Sequence, residues 1–477
     1  MVYDIKFHNF EDPIIAKYSV FPTSRTPETL EQQIDILSKW NNEKEKMHNR
    51  TKWSVEDLNK LKIQQLSVLV DHAFNNVVFY HELYKKFGFQ AGEIRSWKGF
   101  GSLPVINKID LANNFPDRIV AKGYVHNKLH GARTSGSNGM PVTIVSDWNR
   151  VAQDTIDRMR MFEIMMSSSI DENDWRYCID YSPWWISSFV GKYRSYTVHL
   201  NCPIDKIVEH IRKLKPTVVC GVGNMIIEIA SRLPDAKQLG IKCFSSNSET
   251  TSIDQRRKIS SDIGVPILDE YSSEELGLIA TECNYGAYHV VEDSCHVELL
   301  SLEDNSETKT DDLGRIIGTG MWNMAMPIIR YDQGDLAEWS TSGEKCACNQ
   351  TFRRFKCFHG RSDQALFSPV YGLVPPIKIL AIMDNTLACT DSGFLCFRLI
   401  QKAFDTLELY VVVENDKREL NMKLFEKFKT DINALFKYNM TIKNLFVDEL
   451  PPGNSYKRKT IVNEIPKNSL KERCLTK

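Results

Sequence analysis

No stretch of the 477 residues approaches the roughly 18 apolar residues in a row that a membrane-spanning helix needs. Net charge is nearly absent too, with 60 Lys and Arg against 61 Asp and Glu. The chain therefore has no overall field to gather nucleic acid or an anionic membrane, and a small-molecule partner is expected. The first residues, Met-Val-Tyr-Asp-Ile-Lys-Phe, lack a basic patch followed by an apolar run, so a cytoplasmic location is expected. Twelve cysteines are too few for a disulfide scaffold in a chain of this length, and most should be reduced and buried. Internal repeats and low-complexity tracts are missing. What is present, 42% hydrophobic and 25% charged residues, is the composition of a globular protein, long enough for two or more domains.

Residues 54–87 have amphipathic helical spacing, opened by Ser54 with Asp57 three positions on and carrying Leu58, Leu61, Leu66, Leu69, Val70, Ala73 and Phe74 on one face. From 205 to 280 helical and β-branched segments alternate: Asp205 to Lys213, Thr217 to Cys220, Asn224 to Arg232, Ile241 to Phe244, Ile253 to Ile263 and Val265 to Leu268. This alternation predicts a parallel sheet covered by helices, with ligands beyond the carboxyl ends of its strands, where Gly221-Val-Gly223, Asn247-Ser-Glu249 and Tyr271-Ser-Ser-Glu-Glu275 fall. A strand at 407–413, a helix at 421–436 and a strand at 441–447 predict a small α+β tail. The predicted division is a large α/β domain over 1–362 and a small domain over 363–477.

The most chemically informative segment is Thr134-Ser135-Gly136-Ser137-Asn138-Gly139-Met140-Pro141. Its glycines allow close backbone approach, and its amides and hydroxyls can converge on phosphate oxygens, although a plain surface turn has the same composition. The β-branched Val142-Thr143-Ile144-Val145 behind it places it at a strand turn. In order around it stand Leu103-Pro-Val-Ile-Asn-Lys-Ile-Asp-Leu111, Asn247-Ser-Glu249, Tyr271 to Glu275, Arg330-Tyr-Asp-Gln-Gly-Asp335, Gly360-Arg-Ser-Asp363 and Ser455-Tyr-Lys457. This ordered series resembles the adenylate-forming superfamily, in its phenylacetate-CoA ligase-like branch that includes capsule-biosynthesis homologues. The resemblance covers about residues 50–465.

The resemblance implies a large adenylation domain, a small mobile C-terminal lid, and AMP-forming activation of a carboxylic acid. It assigns Thr134, Ser135, Gly136, Ser137 and Gly139 to the β- and γ-phosphates of ATP, and counts Glu249 within the nucleotide-binding set. Glu275 would bind Mg²⁺, Tyr271 would lie against adenine, Asp335 would accept the ribose hydroxyls, and Arg361 would contact ribose or the α-phosphate. Lys457 is the implied catalytic lysine, with Lys459 its nearest rival and a solvated basic cluster the plainer alternative. Asp363 is the implied hinge. The acyl group would pass from AMP to CoA, an amine or a carrier protein. An amide-forming ligase of a specialised pathway and a non-catalytic nucleotide-binding homologue are the alternatives, and a homodimer is left open.

Cys283, His289, Cys346 and Cys348 can supply the three thiolates and one imidazole of a tetrahedral zinc site, or be incidental core and turn residues. Cys357, Cys295, His296 and His359 can substitute in that set. Some members of the branch carry similar Cys and His spacings with bound zinc, which implies a structural Zn²⁺ here. Met140 stands where the family loop has lysine, Asn138 where it has a hydroxyl residue, and Glu274 where it has serine or threonine. Ser272 and Tyr456 replace family glycines, and Gln364 replaces a second acid. The acyl substrate is not legible: Tyr181, Trp184, Trp185, Phe189 and Tyr193 suit an aromatic-acid pocket or an ordinary core.

Overall fold

The computed structural model describes residues 29–134, 141–180, 186–249, 251, 253–302, 305–310, 312–341, 345–370, 372–388, 392–448, 450 and 460–465. It opens on α1 (Leu30–Arg50), started by a capping box in which Thr29 and Gln32 satisfy each other's amides. Only Ile36, Trp40 and Met47 of α1 are buried, a stripe too sparse to stand out in the sequence. The helical region expected over 54–87 is two helices, α2 (Val55–Asn76) and α3 (Val78–Lys86). Ser54 caps α2 by accepting from the Asp57 amide, and Val77 separates the two helices in an extended conformation. Weak helix formers at Asn75, Asn76, Val77 and Val78 favour a break there. Short helices α4 (Trp97–Gly101) and α5 (Lys108–Asn114) follow.

The strand turn expected behind the Ser/Gly loop is β1 (His130–Arg133) paired antiparallel with β2 (Thr143–Ser146). Next come α6 (Trp148–Met166), β3 (Trp175–Asp180), β4 (Arg194–His199), α7 (Ile204–Leu214), β5 (Val218–Val222), α8 (Gly223–Ser231), β6 (Cys243–Asn247), α9 (Ile253–Ile263) and β7 (Ile267–Ser273). Strands β8 (Gly277–Glu282), β9 (Tyr288–Val290), β10 (Cys295–Leu300), β11 (Gly314–Gly320), β12 (Tyr331–Trp339) and β13 (Arg354–Arg361) complete an eleven-stranded sheet of order β10-β11-β12-β13-β9-β8-β7-β6-β5-β3-β4. Strands β3 to β7 are parallel, as the alternation predicts, but the sheet is mixed. β7 turns directly into β8, and so short a connection can join only antiparallel neighbours.

Alternation along the parallel strands feeds two faces. Val219 and Phe244 join Ile207, Ile211, Ile226 and Ile229 of α7 and α8, while Val218, Cys220 and Cys243 join Trp40 of α1 and Ile156, Met159 and Phe162 of α6. A third cluster packs α2 and α3 against β10 to β13. The C-terminal segment has its own core, drawn from residues 366–461. It contains the hairpin β14 (Leu366–Ser368) and β15 (Gly372–Val374), α10 (Pro376–Asn385), β16 (Phe394–Ala403), β17 (Thr406–Val413), α11 (Arg418–Phe436), β18 (Thr441–Phe446) and β19 (Ile461–Asn463), with a sheet of order β18-β17-β16-β19. Among the described residues no helix is long and apolar enough to cross a membrane.

Candidate functional site

Tyr271 near the end of β7, Asp335 on β12 and Arg361 on β13 meet although far apart in sequence. Asp335 and Arg361 are direct cross-strand partners. The Tyr271 hydroxyl donates to Asp335 Oδ2 at 2.6 Å, and Arg361 Nη1 lies 3.5 Å from Asp335 Oδ1 while donating to the Gln333 carbonyl at 3.0 Å. Gly334 makes this possible: its φ is +75°, and a Cβ there would stand 3.1 Å from Arg361 Nη2. Burial, reinforced by the neighbouring Asp335 carboxylate, holds the Tyr271 hydroxyl well above the usual tyrosine range, so it remains a donor. Its ring packs against Phe358 at 4.8 Å.

Half-buried Glu275, just beyond β7, accepts a hydrogen bond at Oε1 from the Tyr331 hydroxyl at 3.0 Å. Burial, then the Glu275 charge, raises Tyr331 and keeps it protonated. Glu249, exposed after β6, accepts from the Asn224 amide at 2.8 Å. On β5, beside β6, Gly221 has a φ of +153°, and an added Cβ there would lie 2.3 Å from the Ile179 carbonyl oxygen. Deeper in the sheet, Asp269 accepts from Ser246 at 2.5 Å and Tyr288 at 2.9 Å, and burial raises its carboxyl to about 7.

Thr134 closes the neck of the β1–β2 hairpin: its amide donates to the Val142 carbonyl and its Oγ1 accepts from the Val142 amide, both at 2.9 Å. That leaves its hydroxyl proton able to donate. Ser135, Gly136, Ser137, Gly139 and Met140 lie outside the described residues, as do Lys457, Lys459 and Tyr456. Asp363 is in a 3-10 turn immediately after β13. Glu274 is exposed beside Glu275. Of the aromatic segment, Tyr181, Trp184 and Trp185 also lie outside, while Phe189 is fully buried and Tyr193 packs with it against the α1 and α6 core.

The zinc-ligand candidates converge. One ligand atom each from Cys283, His289, Cys346 and Cys348 lies within 4.8 Å of all the others. Cys283 Sγ is 3.7 Å from Cys346 Sγ, matching the about 3.8 Å that two Zn–S bonds of about 2.3 Å subtend at a tetrahedral angle. Cys348 Sγ is 3.2 Å from His289 Nε2. His289 Nδ1 is 3.0 Å from the Phe352 carbonyl, so it carries the proton and leaves the Nε2 lone pair facing the thiols. Cys283 and His289 flank a turn between β8 and β9; Cys346 and Cys348 come from the β12–β13 connection. The substitutes lie elsewhere: Cys295 and His296 are buried on β10, with His296 against Trp97 and Phe100, while Cys357 and His359 form a separate group with Glu338.

No family model matches the chain. It is 23% identical over 326 residues to the phenylacetate-coenzyme A ligase of Escherichia coli (strain K12), covering 66% of this chain and 73% of that protein. It is 21% identical over 433 residues to the phenylacetate-coenzyme A ligase of Thermus thermophilus, covering 84% and 94%. In sequence the chain is thus similar to phenylacetate-CoA ligases of the adenylate-forming superfamily. It also shares its fold with 2-hydroxyisobutyryl-CoA ligase in the postadenylation state with 2-HIB-AMP, at a TM-score of 0.69, 17% identity and coverage of 90% and 93%. With ATP-bound MatB from Rhodopseudomonas palustris the TM-score is 0.52 at 17% identity, over 74% and 69% of the two chains.

Several partners were not singled out in the sequence. Tyr331 and Gln333, which contact Glu275 and Ser273, lie inside the Arg330 to Asp335 motif but have no type-specific signal. Arg330 is structural. Buried, it pairs with Glu298 at 2.9 Å and donates to the Gly101 and Leu103 carbonyls, tying its motif to the Leu103-Pro-Val segment. Ile106 completes the tie through backbone bonds to Arg330 and Asp332.

Proposed function

We propose that this protein activates a carboxylic acid with ATP and transfers the resulting acyl group to the thiol of CoA. In the first step a carboxylate oxygen attacks the α-phosphorus, the bond to the β-phosphate oxygen breaks, and pyrophosphate leaves. In the second the thiol, giving up its proton, attacks the acyl carbonyl and AMP leaves. The observation that carries this reading is the meeting of Tyr271, Asp335 and Arg361 at the end of β7. Asp335 offers a carboxylate to the two ribose hydroxyls, Tyr271 orients it and presents a ring to the base, and Arg361 sets a cation toward the ribose or α-phosphate.

The loop from Thr134 to Pro141 is assigned to the β- and γ-phosphates, gripping through amides and hydroxyls because Met140 replaces a cation. Glu275, steadied by Tyr331, would hold Mg²⁺, which when bound offsets the charge of the phosphates. Lys457 would neutralise the carboxylate and α-phosphate, and Asp363 would be the hinge about which the segment from 363 onward turns. Cys283, His289, Cys346 and Cys348 fit a closed, structural Zn²⁺ site, supported by the thiol separation and the anchored imidazole. A carboxylic-acid panel assayed for AMP formation with and without CoA tests the acceptor. AMP release that needs both acid and CoA supports it; release driven by an amine in place of CoA redirects it to amide formation. The additional carboxylate at Glu274 favours a second reading, a homologue that binds nucleotide without turnover, for which no acid in the panel would yield AMP.

A further inference from the structure

Strands β12 and β13 carry a second convergence that has no part in the nucleotide site or the four-ligand cluster. Glu338 on β12 faces Cys357 on β13 as its cross-strand partner. The register shifts between Glu338 and Trp339, so that Trp339 pairs with Phe355 and Lys356 is passed over. Phe355 and Phe358 pack, tilted or edge-on, with Tyr271 and Tyr288 in the aromatic core. A second register shift, between Leu336 and Ala337, passes over His359 and leaves its side chain beside that of Cys357. His359 Nε2 lies 3.0 Å from Cys357 Sγ and 2.8 Å from Glu338 Oε1.

A sulfur, an imidazole nitrogen and a carboxylate oxygen thus point at one place, and His359 Nδ1 is buried with no partner among the described residues. Without a metal, sulfur and nitrogen each donate to the carboxylate, which can accept both; a divalent cation instead takes one lone pair from each of the three. We propose that Glu338, Cys357 and His359 form a second zinc site, with three protein ligands and an open fourth position. The donor set selects the metal. One thiolate and one imidazole suit zinc, whereas magnesium and calcium require shells of oxygen. Thiolate and carboxylate balance the two charges of the ion. Lys356, 3.5 Å from the outer oxygen of Glu338, and Lys378 of α10 are the cations acting on the group. Forming the bonds requires the ligand atoms to separate by about half an ångström, within reach of side-chain rotation, and releases the Cys357 thiol proton. Bound there, zinc pins the strand pair between the four-ligand cluster and the start of the C-terminal segment, where α10 packs on β13.

The test is elemental analysis of the purified full chain after dialysis against a zinc buffer, comparing the parent with C357S, H359Q and C283S. The site predicts that C357S and H359Q each lose one zinc per chain while keeping the parent's fold by circular dichroism. C283S should lose a different one, so that C283S with C357S has none. Zinc content unchanged by C357S and H359Q overturns the proposal. Should C283S fail to fold, X-ray absorption on the parent decides: about two sulfurs per zinc averaged over both sites supports it, and about three, the value for the four-ligand cluster alone, refutes it. A zinc lost in C357S and H359Q but not in C283S supports this site and removes the other.

Discussion

Asp269→Asn should flatten the acid-side pH dependence of stability. The buried Asp269 carboxyl sits between the hydroxyls of Ser246 and Tyr288, next to Glu282, whose Oε2 accepts from the Asp269 amide at 2.9 Å. Burial lifts it from an ordinary 3.8 to about 7, against the opposing pull of Arg256. Between those values the folded chain holds a proton that the unfolded chain has released. The contribution is therefore fully present below about pH 4 and is lost as pH rises through about 7. A difference of about three units at about 1.36 kcal/mol each amounts to about 4 kcal/mol. Asparagine carries no titrating proton, so the stability of the parent relative to Asp269→Asn should fall by about 4 kcal/mol from about pH 4 to pH 8. The absolute offset is a different quantity, because asparagine keeps only one accepting oxygen for two hydroxyls. The assay is denaturant unfolding of both proteins across that pH range. Parallel curves, with a constant difference, would refute the assignment of a protonated Asp269.

Cys346→Ser should remove one zinc per chain and lower the melting temperature by about 5–10 °C, read by metal analysis and calorimetry; full retention of metal would count against the four-ligand cluster. Gly221→Ala should destabilise by about 3 kcal/mol or more, because its Cβ would meet the Ile179 carbonyl in a backbone conformation alien to alanine, and an unchanged unfolding midpoint would contradict that clash. Met140→Lys should tighten ATP binding by up to roughly tenfold in calorimetric titration, as expected for a restored charge-assisted phosphate contact; no change would mean that the loop does not face the phosphates.

Much of this organisation was legible because it is local. Ser54 caps a helix where a serine followed by an acid three positions on predicts one, and the β-branched run after Pro141 is a strand. The convergence of Cys283 and His289 with Cys346 and Cys348 was legible mainly through the family resemblance, because in a chain with twelve cysteines a Cys-x-Cys pair is as readily incidental. Long-range polar burial was not. Helix α6 buries Arg150, Asp157, Arg160 and Glu163, charges that alone suggest a solvated face, because partners arrive from distant strands and helices. Arg160 pairs with Asp293 at 2.7 Å, Arg158 with Glu270 at 2.5 Å, and Glu163 with Lys44 at 2.6 Å. The mixed sheet was missed for a similar reason. Strand direction after β7 is fixed by a three-residue connection, Glu274 to Leu276, with Gly277 opening β8, which composition over a wider window averages away.

The most direct test of the central claim is acid-dependent exchange of labelled pyrophosphate into ATP, measured without CoA for the parent and Lys457→Ala. Reversible adenylation predicts exchange only when a suitable carboxylic acid is added, reduced by at least about a hundredfold in Lys457→Ala. ATP binding with no exchange for any acid in a broad panel would contradict the account.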